Sequence, residues 1–208
     1  MVIAGLFGGL ALLTAAEAAN LLVHVDNGVL DALVARRTAG LTDFAVAVSH
    51  SGASVLTYPL VAIAGAAVAW RTQRWRPGVV ALAVLALGVF SRFLLSVLVR
   101  DARPDRDLWL VRTGGFSFPS GHAAASALLA GTLIWLVARA GLPRPARLAF
   151  AFVALAWAFL VGLSRLYLGV HWVSDVVGSW LLAAAWISAL PLLDPVRRPT
   201  AEAVRPAS

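Results

Sequence analysis

The chain has no cysteine and no lysine, and charged residues make up only 13% of its 208 residues. The missing cysteine excludes disulfides, thiolate metal sites and a thiol nucleophile. The missing lysine means that all 17 basic residues are arginine, so any cation site must use guanidinium. The scarcity of charge, beside 61% hydrophobic residues and a mean hydropathy of +0.85, excludes an ordinary soluble domain. Such a domain is roughly 45–50% apolar and about 25% charged. What is present is enough apolar sequence for about six spans of ~20 residues each. The expectation is an all-α, polytopic membrane protein built as a six-helix transmembrane bundle. The net charge of +7 does not point to nucleic acid. The arginines sit at the ends of apolar runs, which reads as membrane topology plus an anionic ligand.

The first run covers about Val2 to Val23. Ala16-Glu17-Ala18 resembles a signal-peptidase site, but no basic residue precedes the run, so it is expected to stay as a span. Residues 24–43 are mixed and read as a loop or an interfacial helix. Further runs go from about Phe44 to Trp70, Gly78 to Val99, His122 to Val137, Leu148 to Leu163 and Val176 to Leu193. Residues 1–193 are thus expected to form one membrane-embedded domain, and 194–208 a disordered cytoplasmic tail. Arg71, Arg74 and Arg76, then Arg139, Arg144 and Arg147, then Arg197, Arg198 and Arg205 fall on one side of six spans. That side is expected to be cytoplasmic, together with both termini. Segments 100–120 and 164–175 then face outward.

Three polar clusters share that outward face. They are Arg100-Asp101-Ala102-Arg103-Pro104, Pro119-Ser120-Gly121-His122, and Ser164-Arg165 followed by His171 and Asp175. His171 and Asp175 are four apart and share a face if helical. A carboxylate beside an imidazole fixes its tautomer and leaves the other ring nitrogen free as a nucleophile. Alone, the same spacing equally describes a structural pair at a helix start. Ser120-Gly121 opens a helix whose free amides and dipole attract an anion, although Ser120 also suits a plain N-cap. His122 has the titration range of a general acid. Arg103-Pro104 by itself reads as a snorkelling arginine before a helix breaker, while Arg165 offers a planar fork for phosphate oxygens. Taken together, the clusters describe a phosphate cradle with a nucleophile and an acid.

On these residues the sequence resembles the type 2 phosphatidic acid phosphatases, also called lipid phosphate phosphatases. The second and third clusters match that superfamily's signature in residue and spacing. The resemblance implies a membrane phosphatase that needs no metal or other cofactor. His171 would attack phosphorus and form a phosphohistidine, Asp175 would support it, and His122 would protonate the leaving group. Arg103, Arg165, Ser120 and Gly121 would hold the phosphoryl oxygens. The substrate would be a membrane lipid phosphate, first an isoprenoid pyrophosphate such as undecaprenyl pyrophosphate, with phosphatidate and phosphatidylglycerol phosphate beside it. The site would face outward from the plasma membrane. One departure stands out: the signature's lysine falls on Ser96. Arg92 and Arg100 lie one turn to either side, and Arg100, nearer the polar mouth, is the expected substitute.

Arg92 lies ~10 Å inside its span and Glu17 ~9 Å inside the first, which suggests an ion pair between them. Asp101, Asp105 and Asp107 fit a solvated loop better than a magnesium site. A non-catalytic lipid-phosphate binder or transporter is the competing function. His122, His171 and Asp175 argue against it, because binding alone needs neither an acid nor a nucleophile.

Overall fold

A computed structural model describes residues 8–11, 13–16, 22–53, 55 and 57–194. The described residues form helices and no strands. Seven longer helices follow residue 22: α1 (Val23–Val34), α2 (Ala39–Ser51), α3 (Thr57–Thr72), α4 (Arg76–Val99), α5 (Gly121–Arg139), α6 (Arg144–Tyr167) and α7 (Val173–Leu193). Their ends follow local chemistry. The Thr38 side chain accepts from the Leu41 amide ahead of α2, as N-caps do. Pro77 and Pro145 stand in the first turns of α4 and α6, where a missing N–H costs no helical bond. Arg100 closes α4 in the left-handed region at φ 56°.

Among the described residues, four helices, α4 to α7, are long and apolar enough to cross a membrane. α3 is apolar but has 16 residues, so it rises only ~24 Å. The expected run from Phe44 to Trp70 is therefore broken: α2 ends at Ser51 and α3 begins at Thr57. Gly52 lies at the break, packed so tightly that a Cβ there would come 2.4 Å from Val161 Cγ1. Residues 24–43, expected as a loop or interfacial helix, contain the start of α2 and all of α1 but its first residue. Most of the Val2–Val23 run, Glu17 included, lies outside the described residues, as does the tail from residue 195. Asp194, placed in that tail by the sequence, is buried and ion-paired with Arg139 at 2.7 Å.

α5 is the central helix. Its apolar window is 61% buried, against 22% in α4 and in α6. Small residues, among them Ala123, Ala124, Ala130 and Gly131, line it and admit neighbours closely. The main core cluster joins Val61, Val84, Leu85, Leu128, Leu136, Ala183 and Leu190, from α3, α4, α5 and α7. Outward-facing Ile63, Trp70, Phe90, Phe93, Phe152 and Val153 are exposed, as a lipid-facing belt would be. The polar clusters gather where α4 and α6 end and α5 and α7 begin. At the opposite end, Arg139 bonds Asp194 and lies over the Trp135 ring at 4.4 Å, while Arg71 Nε donates to the Ala140 carbonyl at 2.7 Å.

Candidate active site

The turn between α6 and α7 carries the His–Asp pair. Gly169 adopts φ +73°, and a Cβ there would fall 2.3 Å from the Leu108 carbonyl oxygen. Glycine is therefore required to reverse the chain at this close approach. His171 follows, and Asp175 lies in the first turn of α7. His171 Nδ1 is 2.9 Å from Asp175 Oδ2, with the two side chains 2% and 0% exposed. The same oxygen accepts from the Trp172 amide at 2.8 Å and from the Ser117 hydroxyl. One carboxylate oxygen thus caps α7 and holds the imidazole.

Arg103 reaches the other face of the ring. Its Nη1 lies 2.9 Å from His171 Nε2. A guanidinium only donates, so Nε2 must be the accepting nitrogen and Nδ1 must carry the proton given to Asp175. The contact assigns the neutral, Nδ1-protonated tautomer, whose Nε2 lone pair is the nucleophilic one. The remaining guanidinium donors go to carbonyls: Nε to Gly115 (3.1 Å), Nη1 to Val170 (2.7 Å), and Nη2 to Gly114 (3.0 Å) and Phe116 (3.0 Å). All five N–H groups are engaged. Burial pushes the His171 pKa well below its ordinary value, and the positive charges of Arg103, Arg165 and Arg92 push the same way. Burial also lowers Arg103, opposed by Asp175. Asp101 rises to about 6, through burial and then the charge of Asp175.

The start of α5 is fastened to α7. The Ser120 amide donates to the Asp175 carbonyl at 3.3 Å, and Ser179 Oγ donates to the Ser120 carbonyl at 2.9 Å. Phe118, fully buried, wedges against Gly178, where a Cβ would come 2.5 Å from its ring. The Ser120 hydroxyl is buried without a hydrogen-bond partner, and so is Arg165 Nε. Arg165, 3% exposed, is aimed by one bond from Nη1 to Ser49 Oγ at 2.6 Å. An orphaned hydroxyl at a helix start rich in free amides is what an oxyanion would satisfy, and the orphaned Arg165 Nε on α6 is a second unused donor. His122 lines a cavity of about 140 Å³ with Val89, Arg92, Gly121, Ala124 and Ala125.

His171 is thus in direct contact with Asp175 and Arg103, Ser120 is fastened to α7 beside them, Gly121 and His122 follow it at the start of α5, and Arg165 comes from α6. Arg100 does not join them. It is exposed, and its Nε turns back onto the Val97 carbonyl at 3.0 Å. Arg92 does join: Nε donates to the Pro119 carbonyl at 2.9 Å, and its guanidinium carbon lies 3.5 Å from where a Gly121 Cβ would be. The Arg92–Glu17 pair cannot be located, because Glu17 is outside the described residues. Three further side chains serve the site without any motif to mark them. Ser117 holds Asp175, and Ser49 aims Arg165. Asp26 is buried on α1 and accepts from the Ser174 amide (3.0 Å) and hydroxyl (2.6 Å), capping α7 from another helix. Only Ser117, two residues ahead of Pro119, carries a positional hint in the sequence. A larger cavity of about 850 Å³ lies apart, an apolar groove along α5, α6 and α7 lined by Trp135, Phe159, Trp180 and Ile187 among others.

The PAP2 superfamily matches residues 51–198, a stretch containing every motif residue described above. The chain is 31% identical over 173 residues to phosphatidylglycerophosphatase B of Bacillus subtilis, covering 82% of this chain and 84% of that one. It is 33% identical over 108 residues to an undecaprenyl-diphosphatase of Sulfolobus acidocaldarius, covering 51% and 47%. A crystal structure of a transmembrane PAP2-type phosphatidylglycerolphosphate phosphatase from Bacillus subtilis superposes with a TM-score of 0.86 at 30% identity, covering 94% of this chain and 98% of that one. The family match, the full-length relative and the shared fold agree with the cradle built around His171, and the chain belongs to the PAP2 superfamily.

Proposed function

We propose that this chain is a membrane lipid phosphatase that hydrolyses a lipid phosphomonoester or pyrophosphate through a phosphohistidine at His171. The observation that carries the reading is the His171 ring, held through Nδ1 by Asp175 and facing a buried cationic cradle with Nε2. In the first step Nε2 forms a bond to phosphorus as the bond to the leaving oxygen breaks, the lipid alcohol's in a monoester or the bridging one in a pyrophosphate. His122, as the imidazolium, gives that oxygen its proton. Arg103 Nη1 moves from Nε2 to a phosphoryl oxygen, and Arg165, Ser120 and the amides at Gly121 take the others. In the second step neutral His122 takes a proton from water as its oxygen attacks phosphorus. The P–N bond breaks, inorganic phosphate leaves and neutral His171 returns. Charge stabilisation and positioning supply most of such a rate enhancement, and no metal is needed. Arg92, not Arg100, brings the cation that the signature places at position 96.

Full-length similarity to a phosphatidylglycerophosphatase sets phosphatidylglycerol phosphate beside undecaprenyl pyrophosphate as the first substrates to test. The detergent-purified chain is expected to release phosphate from at least one of these or from phosphatidate, with excess chelator present. Binding without release from any of them would favour the non-catalytic reading, and release abolished by chelator would sink the metal-free mechanism.

In the bilayer, the reading is a six-span domain over residues 1–193, with α3 and the Val2–Val23 run joining α4 to α7. Both termini would be cytoplasmic and the His171 end outward in the plasma membrane. The arginines at 71, 74, 76, 139, 144 and 147 support it, since all flank the end opposite His171. The cysteine-free background makes labelling direct. A cysteine at Asp107 is expected to react with an impermeant maleimide on intact cells, and one at Gln73 only after lysis. The reverse pattern would invert the topology.

A further inference from the structure

We propose that Ser117 is a positioning residue for the reaction, holding the Asp175 carboxylate, and through it the His171 ring, in the orientation that aims Nε2 at phosphorus. The inference rests on the function proposed above and adds a residue outside the family signature as read in the sequence. Ser117 is fully buried, and its hydroxyl donates to Asp175 Oδ2. Its oxygen stands 3.5 Å from His171 Nδ1, so it lies beside the His–Asp hydrogen bond rather than elsewhere on the carboxylate. Its backbone is anchored as well: the Ser117 amide donates to the Asp101 carbonyl at 2.9 Å, and the next residue, Phe118, is clamped against Gly178.

The physical need for such a donor is visible on Asp175 itself. Oδ2 accepts from His171, Trp172 and Ser117, while Oδ1 is buried with no partner. A carboxylate loaded on one oxygen is held in rotation by those donors. Removing the hydroxyl leaves two bonds on Oδ2 and lowers the barrier to turning Oδ1 toward the ring. The Nδ1–H···Asp175 bond then loses its fixed line, and the imidazole its fixed aim, although the Arg103 contact still keeps the Nδ1-protonated tautomer. Hydrogen bonds to a charged group are the strong ones, and a buried site lacks water to replace them.

The test compares Ser117→Ala, Ser117→Thr and Ser117→Cys in the full-length chain reconstituted in lipid nanodiscs. Ser117→Ala is expected to lower kcat about 10- to 100-fold while KM stays within about twofold. Ser117→Thr keeps the hydroxyl and is expected to regain part of the loss. If the alanine variant does not fold, Ser117→Cys, with its weak S–H donor in nearly the same volume, carries the same comparison. Histidine ¹⁵N spectra, with His171→Gln for assignment, supply a readout that simple destabilisation would not move. Both chains are expected to keep the Nδ1-protonated tautomer that Arg103 requires, while the His171 Nδ1 signal is expected to shift in Ser117→Ala as its bond to Asp175 is disturbed. A kcat unchanged in Ser117→Ala, or a reduced kcat with native His171 shifts, would overturn the proposal. Should the native chain hydrolyse no lipid phosphate, the functional reading fails. The spectra would still decide the Ser117 contact, a shifted Nδ1 signal supporting it and an unchanged one refuting it.

Discussion

Replacing His171 by alanine is expected to reduce phosphate release by at least about ten-thousand-fold, the scale seen when a covalent nucleophile is removed. The chain has no cysteine to take over, and the Ser117 hydroxyl is already committed to Asp175. The matching direct measurement is a single turnover with radiolabelled lipid phosphate, quenched in base. Native chain is expected to trap an acid-labile phosphoenzyme, and His171→Ala to trap none. A His171→Ala chain that still turns over would remove the covalent mechanism altogether.

The second large effect is expected at Arg103. Arg103→Ala removes a donor to phosphate and the clamp on four loop carbonyls, and kcat/KM is expected to fall about a thousandfold. Arg103→Lys should recover little, since an ammonium cannot span Gly114, Gly115, Phe116 and Val170 together. The pH profile should move as well, in a direction set by charge. His171 must be neutral to attack. Burial depresses its pKa, and Arg103, Arg165 and Arg92 depress it further, so the native acid limb lies below the ordinary value of 6.5. Removing Arg103 lets the ring protonate at higher pH, and the acid limb moves upward. Burial, Arg165 and Arg92 remain, so the limb still stops short of 6.5. A limb that stays fixed or moves down would contradict the placement of Arg103 against Nε2. The same depression has a stability consequence. The unfolded chain binds the proton more readily, so the folded state loses stability as pH falls below about 6.5.

Much of this site was legible because the chemistry is local in sequence. His171 and Asp175 are one helical turn apart, and Pro119 to His122 are contiguous, so spacing alone brings the right groups together. The long apolar helices were legible for a similar reason, since hydropathy accumulates over about twenty residues. The errors fall where a long-range contact decides. Arg100 and Arg92 are equivalent by helical spacing from Ser96. Only the approach of the Pro119 carbonyl and Gly121 to α4 favours Arg92, while a left-handed backbone turns Arg100 away. The Phe44–Trp70 run reads as one span in spite of Ser49, His50, Ser51 and Gly52 within it, and at its break Gly52 packs against Val161 on a helix more than a hundred residues away. Asp26 and Ser49 give no local sign either. Each is an ordinary polar residue on an apolar helix, and its partner, Ser174 or Arg165, comes from distant sequence.

The saturated guanidinium of Arg103 bears on how fast the site can clear. In the resting state each of its protons already has an acceptor, so an incoming anion exchanges bonds instead of adding them. Inorganic phosphate, with no hydrocarbon to anchor it, gains little from that exchange and has a ready path out as the carbonyls close behind it. Inhibition by accumulated phosphate should therefore be weak, and grip on the substrate should come mainly from its tail in the bilayer.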